Sequence, residues 1–373
     1  MVRVAFPGLE VWAVTHDAEL RAAMADEATF VRGWRNWRAL AAGEIDAAHP
    51  VAAMMRVESM IARSGDDHRR LRGLVQAGFT RRRVEALRPR VEALTTSLLH
   101  RMARRGGVVD LKAAFAFPLP MMVISDLLGL DPADQESLSS LVTRILSGTD
   151  PTANTDAFAF AVRMVRAKRA AGDDALISAL IDARDGDGDA LTEEELVWSV
   201  LLLVVGGFET TVGMIGNSVK LLLNHPEQLA LLRGGRVSWE QAVEECLRFD
   251  PSVAMLPFLY TTRDVEMGGV TIPKGEAVLM CYAAANRDPA AHAVPDRFDT
   301  TRGGNRHMAF GHAAHLCLGA PLARLELAVA LPALFRRFPD IALAAPTEPM
   351  PSVFMNHPQS IPVRLFGSGG PAG

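Results

Sequence analysis

One long helical run constrains the fold of this chain more than any other feature. Thr192 and Glu195 have the spacing of a capping box, which marks the start of a helix. Apolar residues with helical spacing follow, and the pattern stops near Pro226. At about 1.5 Å per residue, such a helix would be on the order of 48 Å long, enough to cross a whole domain. We therefore expect a long central helix with a large core around it.

The rest of the chain is also mainly helical in its periodicity. A second capping box, Ser238 with Gln241, predicts a helix that ends at Asp250 before Pro251. Strand patterns are confined to the short segments 11–15, 260–265, 270–272, 277–281 and 361–365. The predicted fold class is mainly α with a small β region.

The chain gives no sign of a division into several domains. Its 373 residues contain no linker, repeat or low-complexity stretch apart from a Gly/Pro-rich C-terminus. We expect a single domain over residues 1–373, with flexible tails at 1–9 and 367–373. Hydrophobic residues make up 49% of the chain, which suffices to bury a core and an enclosed cofactor.

Charge and cysteine content limit the partners and the compartment. A net charge of −4 argues against nucleic acid as the main partner. The N-terminus resembles neither a signal peptide nor an anchor, and the longest apolar stretch is far shorter than the roughly 20 residues of a membrane span. Three cysteines make no disulfide framework, and a required thiolate suits a reducing compartment. We expect a cytoplasmic protein with no membrane contact.

The segment 310–324, FGHAAHLCLGAPLAR, carries the strongest chemical signal. Cys317 stands where a helix begins, so unpaired backbone N–H groups and the helix dipole favour its thiolate form. Gly311 and Gly319 flank it, and glycine lets the backbone approach a large flat ligand closely. His315 is then placed to reach a carboxylate on the rim of that ligand. Cys317 is therefore predicted to be an anionic soft ligand.

Two other interpretations of Cys317 remain open on the residues alone. One is a buried core thiol, the usual fate of a lone cysteine in an apolar helix. The other is a zinc cluster, although the spacing matches no common structural zinc pattern and no Cys-x-x-Cys supports it. That cluster would contain His307, His312, His315 and Cys317.

The motif GGFETT, residues 206–211, lies in the middle of the long helical run. Two glycines cost a helix interior about 2 kcal/mol relative to alanine, so they need a reason. An opened backbone ladder there would leave room for a small ligand beside Thr210, and Glu209 would link that pocket to a proton source. Alternatively, the glycines merely admit a close-packed neighbour.

A basic segment upstream, 66–80, places His68 and Arg72 one helical turn apart. Their common side would grip an anionic group through charge-assisted hydrogen bonds. The alternative is an exposed basic helix face, which is the more frequent fate of such runs.

Taken together, these motifs resemble those of the cytochrome P450 heme-thiolate monooxygenases, over residues 10–366. The resemblance implies the P450 fold, with the long central helix over heme b, and Cys317 as the thiolate ligand of the iron. It implies Glu209 and Thr210 as the catalytic acid and alcohol that deliver protons. The further cofactor-binding residues that it implies are His68, Arg72, Gly206, Phe310, Gly311, His315 and Gly319.

The chain departs from the family pattern at two positions. Ala313 stands where the family usually has a glycine, and Leu259 stands where it has an arginine that binds a heme propionate. The resemblance also implies a buried ionic scaffold formed by Glu245, Arg248 and Arg297.

The implied activity is a bacterial-type monooxygenase that uses O2 to oxidise a mostly apolar organic substrate, in secondary metabolism. No reductase module accompanies the motifs, so the electrons would come from a ferredoxin or flavodoxin with an NAD(P)H-dependent reductase. The basic segment with Arg69, Arg70, Arg81, Arg82 and Arg83 is the predicted docking surface. The residues predicted to contact the substrate are Val205, Val253, Met255, Leu256 and Phe354.

Two other functions remain open from these motifs. The same heme site would support oxidative coupling of carbon atoms or rings without oxygen insertion. A protein of another class, a non-catalytic heme binder or gas sensor, is opposed by the intact Glu209 and Thr210.

Overall fold

The computed structural model describes residues 1–147, 150, 152–184, 186, 188–303 and 306–367. The protein is mainly helical, as the sequence predicts. Its helices are α1 (Asp17–Ala25), α2 (Arg38–Ala41), α3 (Pro50–Met55), α4 (Gly65–Gly78), α5 (Arg81–Ala86), α6 (Arg88–Arg105), α7 (Pro118–Leu128), α8 (Pro132–Ser147), α9 (Ala153–Ala171), α10 (Leu176–Asp182), α11 (Glu193–Gly207), α12 (Glu209–Asn224), α13 (Pro226–Arg233), α14 (Trp239–Phe249), α15 (Tyr282–Ala285) and α16 (Ala320–Arg337).

Short strands form the β region. They are β1 (Val2–Phe6), β2 (Leu9–Val14), β3 (Phe30–Val31), β4 (Val108–Asp110), β5 (Leu256–Thr261), β6 (Val265–Met267), β7 (Val270–Ile272), β8 (Ala277–Met280), β9 (Ala342–Leu343) and β10 (Pro362–Arg364). A five-stranded sheet has the order β1-β2-β8-β5-β3, a three-stranded sheet has the order β4-β10-β9, and β6 pairs with β7. Within the five-stranded sheet β2 and β8 are parallel, whereas the other pairs are antiparallel.

The N-terminal segment is part of the sheet. Strand β1 pairs with β2 in a register that runs from Val2 opposite Ala13 to Phe6 opposite Leu9. The expectation of a flexible tail over residues 1–9 is therefore wrong, because ladder hydrogen bonds fix the backbone there. The predicted C-terminal tail lies outside the described residues except for Gly367.

The strand predicted at 260–265 is two strands. Strand β5 ends at Thr261 and pairs with β8 and β3, whereas β6 begins at Val265 and pairs with β7. The chain therefore leaves one sheet and enters another within three residues, a change that alternation of apolar and polar residues does not reveal.

The central helical run is interrupted at the predicted place. The capping box is present, because the Thr192 hydroxyl accepts from the Glu195 N–H at 3.2 Å and the Glu195 carboxylate accepts from the Thr192 N–H at 2.9 Å. The run breaks at Phe208, whose φ of −128° and ψ of −43° separate α11 from α12. GGFETT is thus a joint between two helices.

The span 193–224 resembles a membrane helix in its length and composition. By length and composition it is apolar enough to cross a membrane, but 67% of its most apolar stretch is buried inside the fold. Buried core helices of soluble proteins have the same length and apolar composition, so this span is weak evidence for a membrane segment.

Packing places the cysteine loop between two parts of the core. Helix α16 packs against α6, α12 and α14, and the turn just before it contacts α1. The largest cluster of buried apolar side chains lies among these helices. A second cluster fills the space between α1 and the five-stranded sheet. The loop that carries Cys317 joins these two regions.

Candidate functional site

Cys317 lies between a short 3₁₀ turn, Ala313–His315, and the start of α16. Its backbone N–H donates to the carbonyl oxygen of Phe310 at 2.8 Å, which closes the loop. The cysteine is exposed to solvent. Cys317 is therefore not the buried core thiol of the alternative interpretation, and its sulfur is accessible to a ligand.

Opposing effects act on the Cys317 thiol. Although solvent reaches it, it lies in a recess, and burial by protein atoms is the largest effect and raises its pKa. The backbone N–H groups of Gly319 and Ala320, together with the charge of Arg72, lower that pKa. The predicted pull of the helix N-terminus towards thiolate is present but does not outweigh burial by itself. A metal ion bound at the sulfur would supply the missing positive charge, because a coordinating thiol is deprotonated outright.

The backbone of the cysteine loop is left-handed at two positions, Gly311 and Ala313. Gly311 has a φ of +74°, in the left-handed region that favours glycine. Ala313 also has a positive φ, +53°, which costs an alanine roughly 1–2 kcal/mol. The loop therefore keeps a left-handed conformation at this position in spite of the substitution.

The joint between α11 and α12 contains two glycines with different roles. A Cβ on Gly207 would lie 2.8 Å from Ile124 Cδ1, so this glycine admits a close-packed neighbour. A Cβ on Gly206 would meet nothing within 4 Å, so Gly206 borders open space. The Thr210 hydroxyl donates to the Gly206 carbonyl oxygen at 3.1 Å. The close-packing alternative thus holds for Gly207, while Gly206 and Thr210 border the space expected for a ligand.

Glu209 is buried and belongs to a cluster that the sequence does not reveal. His357 Nε2 lies 3.3 Å from Glu209 Oε1, and Lys112 Nζ lies 3.9 Å from the same oxygen. Lys112 Nζ also lies 3.4 Å from His357 Nδ1, and burial lowers the pKa of Lys112. Lys112 begins a π-helical turn, a feature that is frequent at functional sites. These three side chains are 97 or more positions apart in the chain, so spacing gives no signal for the cluster.

Gly213, one turn after Glu209, makes room for this cluster. A Cβ on Gly213 would lie 2.5 Å from His357 Cδ2 and 2.9 Å from Ser252 Cβ. Real Cβ atoms do not approach so closely, so the glycine allows the His357 ring to reach Glu209.

His68 and His315 come together as the sequence predicts. Their rings stack with centroids 3.9 Å apart and planes inclined by 28°. Burial, followed by the charges of nearby arginines, lowers the pKa of His68 to about 4 and that of His315 to about 2. Both nitrogens of His68 and Nε2 of His315 are buried without a hydrogen-bond partner in the described part of the chain. Buried polar atoms of this kind call for a partner that can bond them.

The zinc cluster expected as an alternative is not assembled. His307 Nε2 lies 3.1 Å from a Glu244 carboxylate oxygen, and His312 Nδ1 lies 3.4 Å from Arg21. Among the described residues, the group whose potential ligand atoms lie within 4.8 Å of one another consists of Glu27, His68 and His315. That group excludes Cys317.

These residues fit a heme. The accessible thiol of Cys317 would serve as the ligand of the iron, and Gly206 leaves open space at the helix joint. The unpartnered imidazole nitrogens of His68 and His315 match the carboxylates on the rim of a heme. Thiolate ligation and carboxylate anchors are the features by which a protein holds this cofactor.

The ionic scaffold is present, but its third member differs from the prediction. Arg248 and Glu245 are fully buried and form a bidentate pair, with both N–O distances 2.8 Å. Arg302 Nε approaches Glu245 Oε2 at 3.3 Å and completes the scaffold. Arg297 instead turns its side chain to Asp299, with 67% of it exposed. Arg297 contributes only its carbonyl oxygen, which accepts from Arg248 at 3.2 Å.

The predicted substrate residues are half-buried and lie on separate elements. Leu256 and Phe354 line one cavity of about 150 Å³. Val253 and Met255 immediately precede β5, and Val205 lies on α11 and packs against the largest core cluster. The structure thus brings two of the five residues to one cavity, and the substrate role of the set remains a prediction.

Comparisons with known proteins agree with this geometry. A cytochrome P450 family model matches residues 239–362. The chain is 40% identical to cytochrome P450 107B1 of Saccharopolyspora erythraea, over 96% of this chain and 90% of that protein. It is also 40% identical to the vitamin D(3) 25-hydroxylase of Pseudonocardia autotrophica, over 92% of this chain and 84% of the relative.

Solved structures show the same likeness. CYP154C4 from Streptomyces sp. ATCC 11861 superposes with a TM-score of 0.94 at 40% sequence identity, covering 99% of this chain and 93% of that structure. The fold and the site define a heme-thiolate protein. The chain belongs to the cytochrome P450 family, and it is a heme-dependent monooxygenase that acts on an organic substrate with O2 and a redox partner.

Proposed function

We propose that the chain is a cytoplasmic single-domain P450 in which Cys317 is the axial ligand of heme b. The observation that carries this assignment is the accessible Cys317 thiol at the start of α16, close to buried imidazoles that lack partners. Gly206, Phe310, Gly311 and Gly319 would enclose the cofactor, and His68, Arg72 and His315 would bind its carboxylates. When bound, a thiolate-ligated heme supplies the oxygen chemistry.

Glu209 and Thr210 would supply protons and order water at the helix joint. The Thr210 hydroxyl is held at the Gly206 carbonyl, and Glu209 has His357 and Lys112 within 4 Å of one carboxylate oxygen. A buried carboxylate with two exchangeable N–H groups beside it can receive a proton from one side and pass it to the other. In this proposal His357 and Lys112 therefore supply protons to Glu209 and Thr210.

The substrate would be a mid-sized, mostly apolar organic molecule of secondary metabolism. Val205, Val253, Met255, Leu256 and Phe354 are all apolar or aromatic, and concave sites gain affinity chiefly from buried apolar area. The relative named as a vitamin D(3) 25-hydroxylase supports a substrate of this kind. Insertion of oxygen adds sixteen mass units to the product, whereas coupling without insertion removes two.

The electrons would come from a ferredoxin or flavodoxin with its NAD(P)H-dependent reductase. Three of the five arginines predicted to dock it are engaged within the chain: Arg69 with Asp66 and Glu27, Arg70 with Asp189 and Glu195, and Arg83 with the carbonyl oxygen of Asp174. Arg81 and Arg82 are exposed at the start of α5, and neither forms an ion pair within the described ranges. Positive charges at the N-terminus of a helix oppose the helix dipole, so Arg81 and Arg82 do not stabilise α5 through that interaction. Helix α5 contacts α16, which follows Cys317.

The test of the ligand assignment is the spectrum of reduced protein under carbon monoxide. Wild type should show the band diagnostic of thiolate-ligated heme, and Cys317→Ser should lose it because serine supplies no thiolate. The matched control is Cys281→Ser, which changes a half-buried thiol in the sheet region. A Cys317→Ser protein that keeps the band would refute the assignment.

A further inference from the structure

Leu259 leaves this heme site short of a cation. It lies in β5 and is buried in the apolar cluster between α1 and the sheet, with Val278 and Met280 as neighbours. The resemblance implies an arginine at this position, so the positive charge has to come from another residue of this chain. The inference about this charge rests on the proposed heme site around Cys317.

The register of the sheet identifies the candidate. Strand β3 is antiparallel to β5, with Phe30 opposite Thr261 and Val31 opposite Tyr260. One further step along the same register sets Arg32 opposite Leu259. Residues directly opposite each other in an antiparallel pair project to the same face. Arg32 thus stands across the strand pair from the position of the missing arginine.

The surroundings of Arg32 leave its charge without a counter-ion. The residue is only 6% exposed, and its Nε has no hydrogen-bond partner among the described residues. One terminal nitrogen lies 3.4 Å from the sulfur of Met280, and the hydroxyl of Tyr282 is also close. In the described part of the chain Arg32 forms no ion pair within 4.0 Å, and the charge of Glu27 acts on it only from a greater distance. An unpaired buried charge is strongly unfavourable, so this one calls for an anion.

The anion would meet Arg32 at the same edge as the two imidazoles. The Arg32 backbone N–H donates to the Ser64 hydroxyl at 2.8 Å, immediately before α4, the helix that carries His68. Two unpartnered imidazoles and one unpaired guanidinium thus converge on one place.

We propose that Arg32 binds a carboxylate on the rim of the heme and replaces, from the neighbouring strand, the arginine that Leu259 has displaced. A guanidinium forms two parallel hydrogen bonds with a carboxylate, and such pairs are the strongest of the charge-assisted kind. The carboxylate of Glu27 also lies near His68 and His315, but it forms its ion pair with Arg69 at 3.5 Å. Arg32 is therefore a cofactor-binding residue of this chain.

The test is retention of heme by the holoenzyme. Arg32→Leu should release heme to an acceptor apoprotein about tenfold faster than wild type, because one charged hydrogen-bonding group is lost. Its reduction potential should also fall, since removal of a positive charge near the iron favours the oxidised state. The matched control is Arg35→Leu on the same segment, where the arginine is mostly exposed and pairs with Glu58.

A rescue experiment distinguishes a specific role of Arg32 in heme binding from general damage to the fold. The double variant Arg32→Leu/Leu259→Arg returns the cation to the opposite strand and should recover a release rate within about twofold of wild type. Release from Arg32→Leu at the wild-type rate would overturn the proposal, even if binding of carboxylate-bearing substrates weakened. Failure of the double variant to recover would overturn it as well.

The carbon monoxide spectrum separates this inference from the ligand assignment. All the Arg32 variants should keep the thiolate band, because Cys317 is unchanged. Loss of that band only in Cys317→Ser, together with unchanged release from Arg32→Leu, would reject the role of Arg32 and leave the proposed function standing.

Discussion

Gly213 offers a sharp test of the cluster around Glu209. In Gly213→Ala the new Cβ would lie 2.5 Å from His357 Cδ2 and 2.9 Å from Ser252 Cβ, so both neighbours must move. Overpacking of this kind costs roughly 1–3 kcal/mol, whereas replacing glycine by alanine in a helix gains up to about 1 kcal/mol. We therefore expect a net loss of about 1–2 kcal/mol in the free energy of unfolding.

The assay is urea-induced unfolding followed by circular dichroism, with Gly73→Ala as the matched control. Gly73 is an exposed glycine within α4, and a Cβ there would meet nothing within 4 Å. That control should gain roughly 0.5–1 kcal/mol. The same measurement in a His357→Ala background should reduce the cost of Gly213→Ala by about 1 kcal/mol, because the ring that clashes is gone.

The displaced ring should also affect turnover. With His357 moved from Glu209, a smaller share of the NAD(P)H consumed should appear as oxidised product. If Gly213→Ala is as stabilising as Gly73→Ala, the close approach of His357 to α12 does not exist and the cluster is wrong.

Three further predictions concern protons, electrons and stability. Thr210→Ala should keep substrate binding but divert NAD(P)H into hydrogen peroxide, measured against the product formed, and unchanged coupling would remove the hydroxyl from proton delivery. Arg81→Glu/Arg82→Glu should slow reduction by an acidic ferredoxin in stopped-flow at low salt, with Arg69→Glu as the paired-arginine control, and a rate indifferent to salt would exclude this docking surface. Burial raises the pKa of Glu326 to about 8, so the folded protein binds a proton that the unfolded chain releases above about 4.5, and stability should fall as pH rises between these values. Glu326→Gln should therefore be more stable than wild type at pH 8 by on the order of 1–3 kcal/mol, with the difference shrinking towards pH 5 in urea melts, and a difference independent of pH would contradict the buried carboxyl.

Features that depend on neighbours in the chain could be predicted from the sequence. The capping box at Thr192 and the N-cap hydrogen bond from the Gln241 N–H to the Ser238 hydroxyl are local, and both helices begin where the sequence indicates. The start of α16 just after Cys317 and the joint in GGFETT follow in the same way, because helix propensity and glycine act over a few residues.

Features that depend on how elements meet were missed or misplaced. Arg297 was expected in the ionic scaffold, but the path of the loop after α15 turns it outward and brings in Arg302 five residues later. The N-terminal strand β1 was expected to be a flexible tail, because its stability comes from pairing with β2. Neither outcome is encoded in the spacing of the residues concerned.

The sequence by itself therefore determined the fold class, the main helices, the cysteine loop and the joint that carries Glu209 and Thr210, since each is written in contiguous residues. Only the tertiary structure decided that His357 and Lys112 reach Glu209, that Gly213 makes room for the His357 ring, and that Arg32 directly follows the pairing of β3 with β5. The physical reason is that burial and pairing of charges are set by packing between distant segments, and one sequence does not show which of its distant positions will meet.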